Sequence, residues 1–302
     1  MRCIIQGVNI LVVINGFNRY KLECIVKKSY KENTMLNPLF IKATSLSDAW
    51  FQALYKCVEQ GRAFEISRGS FEGQKRLEFD FMTIHITHPS SIPLLPKVNP
   101  ALGFPDPVED DYLDDYLPYL MTGEEKEGES YTYGQRICKC ELSYLPSEYR
   151  DLSNILIQEP DIWENRDMVI QEAGEYFVNQ MEMMIWTYKN KGHRNNQMIL
   201  QVGSPADMVL QDPPCLRHID TRIQDGKLHF FPYFRSWDLY GGFPANLAAI
   251  EMMKQYCAEQ IGVENGEIIA SSKGLHIYDY VFEIAEAIRG RSMDEFRKES
   301  VG

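Results

Sequence analysis

An α+β fold is the class this sequence predicts, and three observations carry it. Segments with strand periodicity and segments with helix periodicity mix along the chain without a regular β–α–β alternation. Arg217–Ile223 and Leu228–Phe234 flank Asp225-Gly226, a dipeptide suited to the tight turn of an antiparallel hairpin. The 302 residues are 44% hydrophobic and 25% charged, the balance of a globular chain with one large core or two ordinary ones.

The elements follow in order. Residues 1–34 hold a weakly apolar segment, Ile4–Phe17, broken by Gly7, Asn9, Asn15 and Gly16 and followed by a basic, polar stretch before Met35. The segment is too short for a membrane span, and no small-residue cleavage site follows it. It reads as an amino-terminal extension or a misassigned start, leaving residues 35–302 as a single domain without internal repeats. A helix is predicted over Leu46–Gln60, with Ser47 as its cap, Trp50, Phe51, Leu54 and Cys57 on one face and Gly61 as its stop. Leu77–Ile86 alternates like a strand but slips phase near Phe81 and Met82, which a bulge would explain.

Six prolines between Pro89 and Pro107 mark an irregular connection. Residues 108–117 interleave acidic side chains with Tyr112, Leu113, Tyr116 and Leu117 and read as a helix with a solvated acidic face. Residues 166–189 carry a methionine- and aromatic-rich helical stripe, which suits a core or an oligomer interface. Gln197–Val202 suits a buried strand. Pro244 suits the first turn of a helix running to about Gln260. Ile268–Ser271 reads as a short strand, and Tyr280–Ile288 as a last helix with Gly290 beyond it.

A formal net charge of −12 opposes general nucleic-acid binding, which needs a basic face to displace counterions. A phosphorylated small molecule needs only a few local arginines. Seven scattered cysteines without a secretory leader read as reduced thiols of a cytoplasmic protein, with no membrane association.

Cys215 leads the candidates for chemistry. It follows Asp212-Pro213-Pro214, whose prolines remove two amide donors and fix the approach to the strand. A buried apolar role is the commoner fate of a free cysteine, and a nucleophile needs positive surroundings. The hairpin register supplies them: it places residues 215–217 opposite roughly 234–236, and so sets Arg235 beside the thiol. His218 lies three residues along the same strand, on the face opposite Cys215 if no bulge intervenes, which opposes a Cys–His pair. Cys138-Lys139-Cys140 is the one close cysteine pair, and no second pair matches it, so no metal is expected. The chain has neither a phosphate-binding P-loop nor a dinucleotide glycine fingerprint.

Four blocks, Pro213-Pro214-Cys215, Phe234-Arg235-Ser236-Trp237-Asp238, Gly242-Phe243-Pro244-Ala245-Asn246 and Leu275-His276-Ile277-Tyr278, resemble those of thymidylate synthases. Their intervals agree as well: 20 residues from Cys215 to Arg235, 11 more to Asn246 and 30 more to His276. Tyr133-Gly134 resembles a fifth block. The resemblance implies a large, twisted, mixed sheet with bulges, packed by helices and joining two subunits of a homodimer. It implies transfer of a one-carbon unit to C5 of dUMP from 5,10-methylenetetrahydrofolate or a tetrahydromethanopterin-type analogue. Cys215 would add to C6 of the base, a conjugate addition suited to a soft thiolate, and Tyr133 would help remove the C5 proton. Arg235 and Ser236 would hold the phosphate, Asn246 the uracil edge, and His276 and Tyr278 the deoxyribose hydroxyl. Asp238 and Gly242 would meet the pterin.

Several positions depart from the family pattern. Arg68 in Arg68-Gly69-Ser70 matches the amino-terminal phosphate arginine loosely. Arg194-Asn195-Asn196 keeps one of two arginines that reach the partner's phosphate site. Asp115 is the nearest counterpart of a catalytic glutamate. Leu216 and Gly274 replace a histidine and an acidic residue. Arg136 and the residues after it replace tryptophans that follow the Tyr-Gly block. These changes imply a divergent, archaeal-like branch. They also motivate two alternatives, a hydroxymethyltransferase of the same fold acting on dUMP or dCMP and a nucleotide-binding protein without turnover.

Overall fold

The computed structural model describes residues 35–67, 71–125, 127, 129, 131–141, 167–173 and 175–290. Residues 1–34 and Arg68, each with an expectation above, lie outside them.

The fold is α+β, as expected. Its centre is a six-stranded mixed sheet in the order β1-β4-β12-β10-β9-β8. These strands are β1 (Pro38–Ala43), β4 (Phe81–Ile86), β8 (Ile199–Gln201), β9 (Leu216–Gln224), β10 (Lys227–Phe234) and β12 (Glu264–Ser272). β1–β4 and β10–β12 pair in parallel; the other pairs are antiparallel. The predicted hairpin is present, and Asp225 and Gly226 turn it with φ of 53° and 74°. Phe234 pairs with Leu216 after a bulge between Tyr233 and Phe234.

Alternation along these strands buries one sheet face under helices α1 (Leu46–Gln60) and α5 (Gly242–Ile261). On the other face Phe40 and Lys42 are exposed, and Phe231, Tyr233 and Ile269 are half-buried. α5 is held to β12 by a buried pair, Lys254 with Glu251, whose ammonium also donates to Gly266 O. That carbonyl lies where β12 slips register against β10.

A second sheet of four short strands carries much of the candidate site. Its order is β11-β13-β3-β2, formed by β2 (Arg62–Glu65), β3 (Lys75–Glu78), β11 (Trp237–Asp238) and β13 (Leu275–Tyr278). A third sheet, β5-β7-β6, joins β5 (Cys140–Glu141), β6 (Val169–Glu172) and β7 (Glu175–Val178). Helices α2 (Tyr112–Met121), α3 (Tyr133–Cys138), α4 (Gln180–Lys191) and α6 (Phe282–Arg289) complete the set among the described residues. None of these helices is long and apolar enough to cross a membrane.

Four expectations need correction. Ser45, not Ser47, caps α1 by accepting from Asp48 N. Leu77–Ile86 is not one bulged strand: the chain leaves β3, turns at Phe79–Asp80 and enters β4 in the other sheet. The phase slip therefore marks a change of sheet, with Leu77 buried from one sheet and Met82, Ile84 and Ile86 from the other. The helix predicted over 166–189 is a β6–β7 hairpin followed by α4. Ala173 at φ 52° turns the hairpin, and Asn179 caps α4 through the amides of Met181 and Glu182. Pairing of β7 with both β5 and β6 overrides the helical periodicity there. Lastly, the bulge before Phe234 breaks the alternation that set His218 opposite Cys215; His218 stacks on Tyr233 instead, with ring centroids 5.6 Å apart.

Candidate active site

Cys215 sits half-buried at the start of β9, packed against the core. The Arg235 amide donates to Cys215 O at 2.9 Å, so the two residues stand side by side on adjacent chain segments. The guanidinium folds back over the Pro213-Pro214 segment, with Nε donating to Pro214 O at 3.1 Å and Nη2 to Pro213 O at 2.5 Å. It also lies 3.7 Å from the Asp212 carboxylate. The two prolines thus do more than stiffen the loop: their carbonyls hold the cation against the segment that leads into Cys215. Ser236 is half-buried in the turn from β10 to β11.

Tyr133 approaches from α3. Its hydroxyl accepts from the amide of Leu216, the residue after Cys215, at 3.3 Å. Tyr131 donates to Asp212 O at 3.3 Å on the other side of the same loop. Gly134 lets α3 pack tightly on the chain around Tyr119–Thr122, because a Cβ there would stand 2.2 Å from Thr122 O and 2.5 Å from Tyr119 O. Below the loop, buried Asp207 receives Arg136 at 3.1 Å and Arg217 at 3.0 Å, and Arg217 also donates to Pro214 O at 3.4 Å.

The four-stranded sheet supplies the opposite wall. Asp238, His276 and Glu78 stand in one row across β11, β13 and β3, and Tyr278 pairs with Arg76 in the next row. Asp238 accepts the amides of Tyr240, Gly241 and Gly242 at 3.0–3.1 Å, so its carboxylate caps the entry to α5. Burial still pushes its pKa up, against the pull of those three amides. A Cβ at Gly242 would lie 3.3 Å from Asp238 Cβ and 3.8 Å from Asn246 Oδ1, so the glycine keeps open the space between the two.

His276 is buried and donates Nδ1–H to Gly274 O at 2.8 Å, which makes Nε2 the acceptor of a neutral ring. Burial drives its pKa down to about 3, and Nε2 has no hydrogen-bond partner among the described residues. Burial also drives the Tyr278 hydroxyl upward, with the nearby Asp238 charge adding and Arg76 opposing. Glu78 is pushed up to about 7 by burial, with the nearby Asp80 charge adding and Arg76 and Lys273 opposing.

The fold therefore gathers Cys215, Tyr133, Arg235, Ser236, Asp238, Gly242, Asn246, His276 and Tyr278 around one region. Asp115 and Arg194 are exposed. The α2 side chain that reaches Asn246 is Tyr116, whose hydroxyl accepts from Asn246 Nδ2 at 2.6 Å. Trp237 Nε1 donates to Asn246 Oδ1 at 3.0 Å. Sequence reasoning had not assigned Tyr116, Trp237, Glu78 or Arg76 to the site. Trp237 stood inside a recognised block, and the Tyr112–Tyr116–Tyr119 stripe has helical spacing, so both carried a readable signal.

The family model described as thymidylate synthase matches residues 130–298. A protein of Methanosarcina mazei named "Putative thymidylate synthase" is 28% identical over 250 residues, covering 82% of this chain and 93% of its own. Proteins of the same name from Methanosarcina barkeri and Methanothermobacter thermautotrophicus are 26% and 23% identical. Each covers 82% of this chain, and 93% and 97% of the relatives respectively is matched. With more than half its length under the family model and a shared set of motif residues folded into one site, this chain belongs to the thymidylate synthase family.

Proposed function

We propose that this chain is a thymidylate synthase that methylates dUMP at C5, with Cys215 adding to C6 of the base. The observation that carries the reading is the Cys215–Arg235 pairing, in which the arginine amide donates to the cysteine carbonyl and the guanidinium bonds the carbonyls of the two prolines just before the thiol. A nearby cation favours the thiolate, and thiolate addition at C6 makes C5 nucleophilic. Arg235 and Ser236 bind the nucleotide phosphate, joined by Arg68 and by Arg194 of the partner. His276 Nε2, an acceptor without a partner among the described residues, accepts a hydrogen bond from the deoxyribose hydroxyl, and Tyr278 flanks it. Tyr133 assists loss of the C5 proton from beside the cysteine, and Asp115 is the carboxylate proposed to aid it from α2.

Asp238 and the space left by Gly242 suit the pterin of the one-carbon donor, methylenetetrahydrofolate or a tetrahydromethanopterin-type analogue. When bound, that donor supplies the one-carbon unit and the hydride. The exposed and half-buried apolar residues on the open face of the six-stranded sheet, Phe40, Phe231, Tyr233 and Ile269, support a homodimer formed through that face. A cytoplasmic location goes with the reduced thiols Cys57, Cys138, Cys140 and Cys257, none of which is in a disulfide.

The test is covalent trapping with 5-fluoro-dUMP and methylenetetrahydrofolate, with the labelled residue assigned by mass spectrometry. A ternary adduct on Cys215 is expected, and an unlabelled Cys215 in folded protein would remove the reading in favour of a binding protein. With dUMP itself, dihydrofolate formation supports methylation, while hydroxymethyl product without it marks the hydroxymethyltransferase.

A further inference from the structure

We propose that Trp237 locks the Asn246 carboxamide in one orientation, with Tyr116 steadying its other end, and thereby makes the site select uracil over cytosine. The inference rests on reading the site as a pyrimidine-nucleotide pocket and goes beyond it by naming what decides the base.

A carboxamide can turn over and exchange its oxygen and nitrogen at little cost when nothing opposes it. Uracil offers a donor at N3 and an acceptor at O4. Cytosine offers an acceptor at N3 and a donor at N4. An asparagine free to rotate can match either, once the base is held in a fixed place. Selection therefore needs a neighbour that tells oxygen from nitrogen.

Trp237 is such a neighbour, because an indole N–H can only donate. Its partner 3.0 Å away must be Oδ1, which sends Nδ2 to the other side. There Tyr116 Oη accepts at 2.6 Å. Both neighbours are themselves held. The Trp237 ring stacks on Phe234 with centroids 3.9 Å apart and planes 6° from parallel, and lies 4.6 Å from Phe243. Trp237 is 2% exposed. Tyr116 stacks between Tyr112 and Tyr119, at 5.7 and 6.0 Å.

The two neighbours are not equivalent. A phenol hydroxyl both donates and accepts, so Tyr116 can face either end of the amide. Only Trp237 forbids the turned form, in which Nδ2–H would face the indole N–H. Each bond uses half of one group's capacity, because the amide oxygen has two lone pairs and the nitrogen two hydrogens. A second acceptor position and a second donor hydrogen remain for the base, in the order that fits uracil N3–H and O4.

The test measures dUMP and dCMP affinity by calorimetry on the full chain and on Trp237→Phe and Tyr116→Phe, with folding checked by circular dichroism. The wild type is expected to prefer dUMP. Trp237→Phe keeps the aromatic stack, removes the donor and should shrink that preference about tenfold or more, mainly through tighter dCMP binding. Tyr116→Phe should weaken dUMP binding a few-fold and leave the preference standing. A folded Trp237→Phe with the wild-type ratio overturns the lock. So does a wild type that binds both nucleotides equally. A wild type that binds neither overturns the nucleotide reading instead. As a check that needs no variant, the Trp237 indole proton should be protected from solvent exchange in free and dUMP-bound protein; rapid exchange in both overturns the lock.

Discussion

Glu78 and His276 stand directly opposite each other on β3 and β13, with a Glu78 carboxylate oxygen 4.0 Å from His276 Nδ1. The family's acidic residue near this histidine is replaced by Gly274, and a Cβ on Gly274 would lie 3.4 Å from that same oxygen. A carboxylate thus reaches the histidine from a neighbouring strand. The two groups shift in opposite senses, and stability should record both.

His276 falls from an ordinary 6.5 to about 3, so its neutral form stabilises the fold above pH 6.5 and that contribution is lost as pH falls toward 3. Glu78 rises from 4.5 to about 7, so stability is fully present below 4.5 and declines as pH climbs toward 7. Between pH 4.5 and 6.5 the two slopes oppose each other. Relative to wild type, Glu78→Gln should gain a positive slope of about 1.4 kcal/mol per pH unit in that window, and His276→Gln a negative one. Urea unfolding at half-unit pH steps measures this; parallel profiles for all three proteins would refute it.

Tyr133→Phe removes the acceptor for the Leu216 amide without changing the ring. The variant should lose about 1–3 kcal/mol of stability, the usual range for a buried donor left unpaired. If Tyr133 also acts at C5, turnover should fall far more than nucleotide affinity, a split read from kcat and KM at saturating donor. Equal losses in both would make Tyr133 purely structural.

Gly134→Ala should be among the most damaging small substitutions. The added methyl meets main-chain atoms of Tyr119, Leu120 and Thr122 at 2.2–3.0 Å, and backbone cannot swing aside as a side-chain tip can. A loss of about 3 kcal/mol or more is expected, seen as a lower denaturation midpoint or insoluble expression. A wild-type midpoint would show that α2 and α3 do not pack as closely as described.

Asp207→Ala should destabilise by about 3–5 kcal/mol, because it strands two guanidiniums and the Ser204 amide that the carboxylate now holds. Replacing Arg136 alone should cost less, since Arg217 still pairs with Asp207. A double-mutant cycle on Asp207 and Arg136 gives the coupling; additivity within experimental error would mean the pair contributes nothing.

Local chemistry made much of this protein legible. Asp225-Gly226 set the hairpin and brought Arg235 to within a residue of Cys215, because the two strands are joined by a tight turn; the bulge between Tyr233 and Phe234 then made Cys215 the partner of Arg235. The limits of α1, the entry to α5 and the last helix were likewise set by nearby glycines, a proline and apolar spacing. Only the tertiary structure decided what depends on partners distant in sequence. It broke Leu77–Ile86 between two sheets, turned half of a helical stripe into a hairpin, and brought Glu78 to His276 across 198 positions of chain. It also brought Tyr116, which the sequence reading had not assigned, to Asn246. Neighbouring residues on a helix point about 100° apart, and the direction in which α2 faces the site is fixed by its packing against α5 and α3. Sequence spacing names the side chains available to a site; which one arrives depends on how separate elements dock.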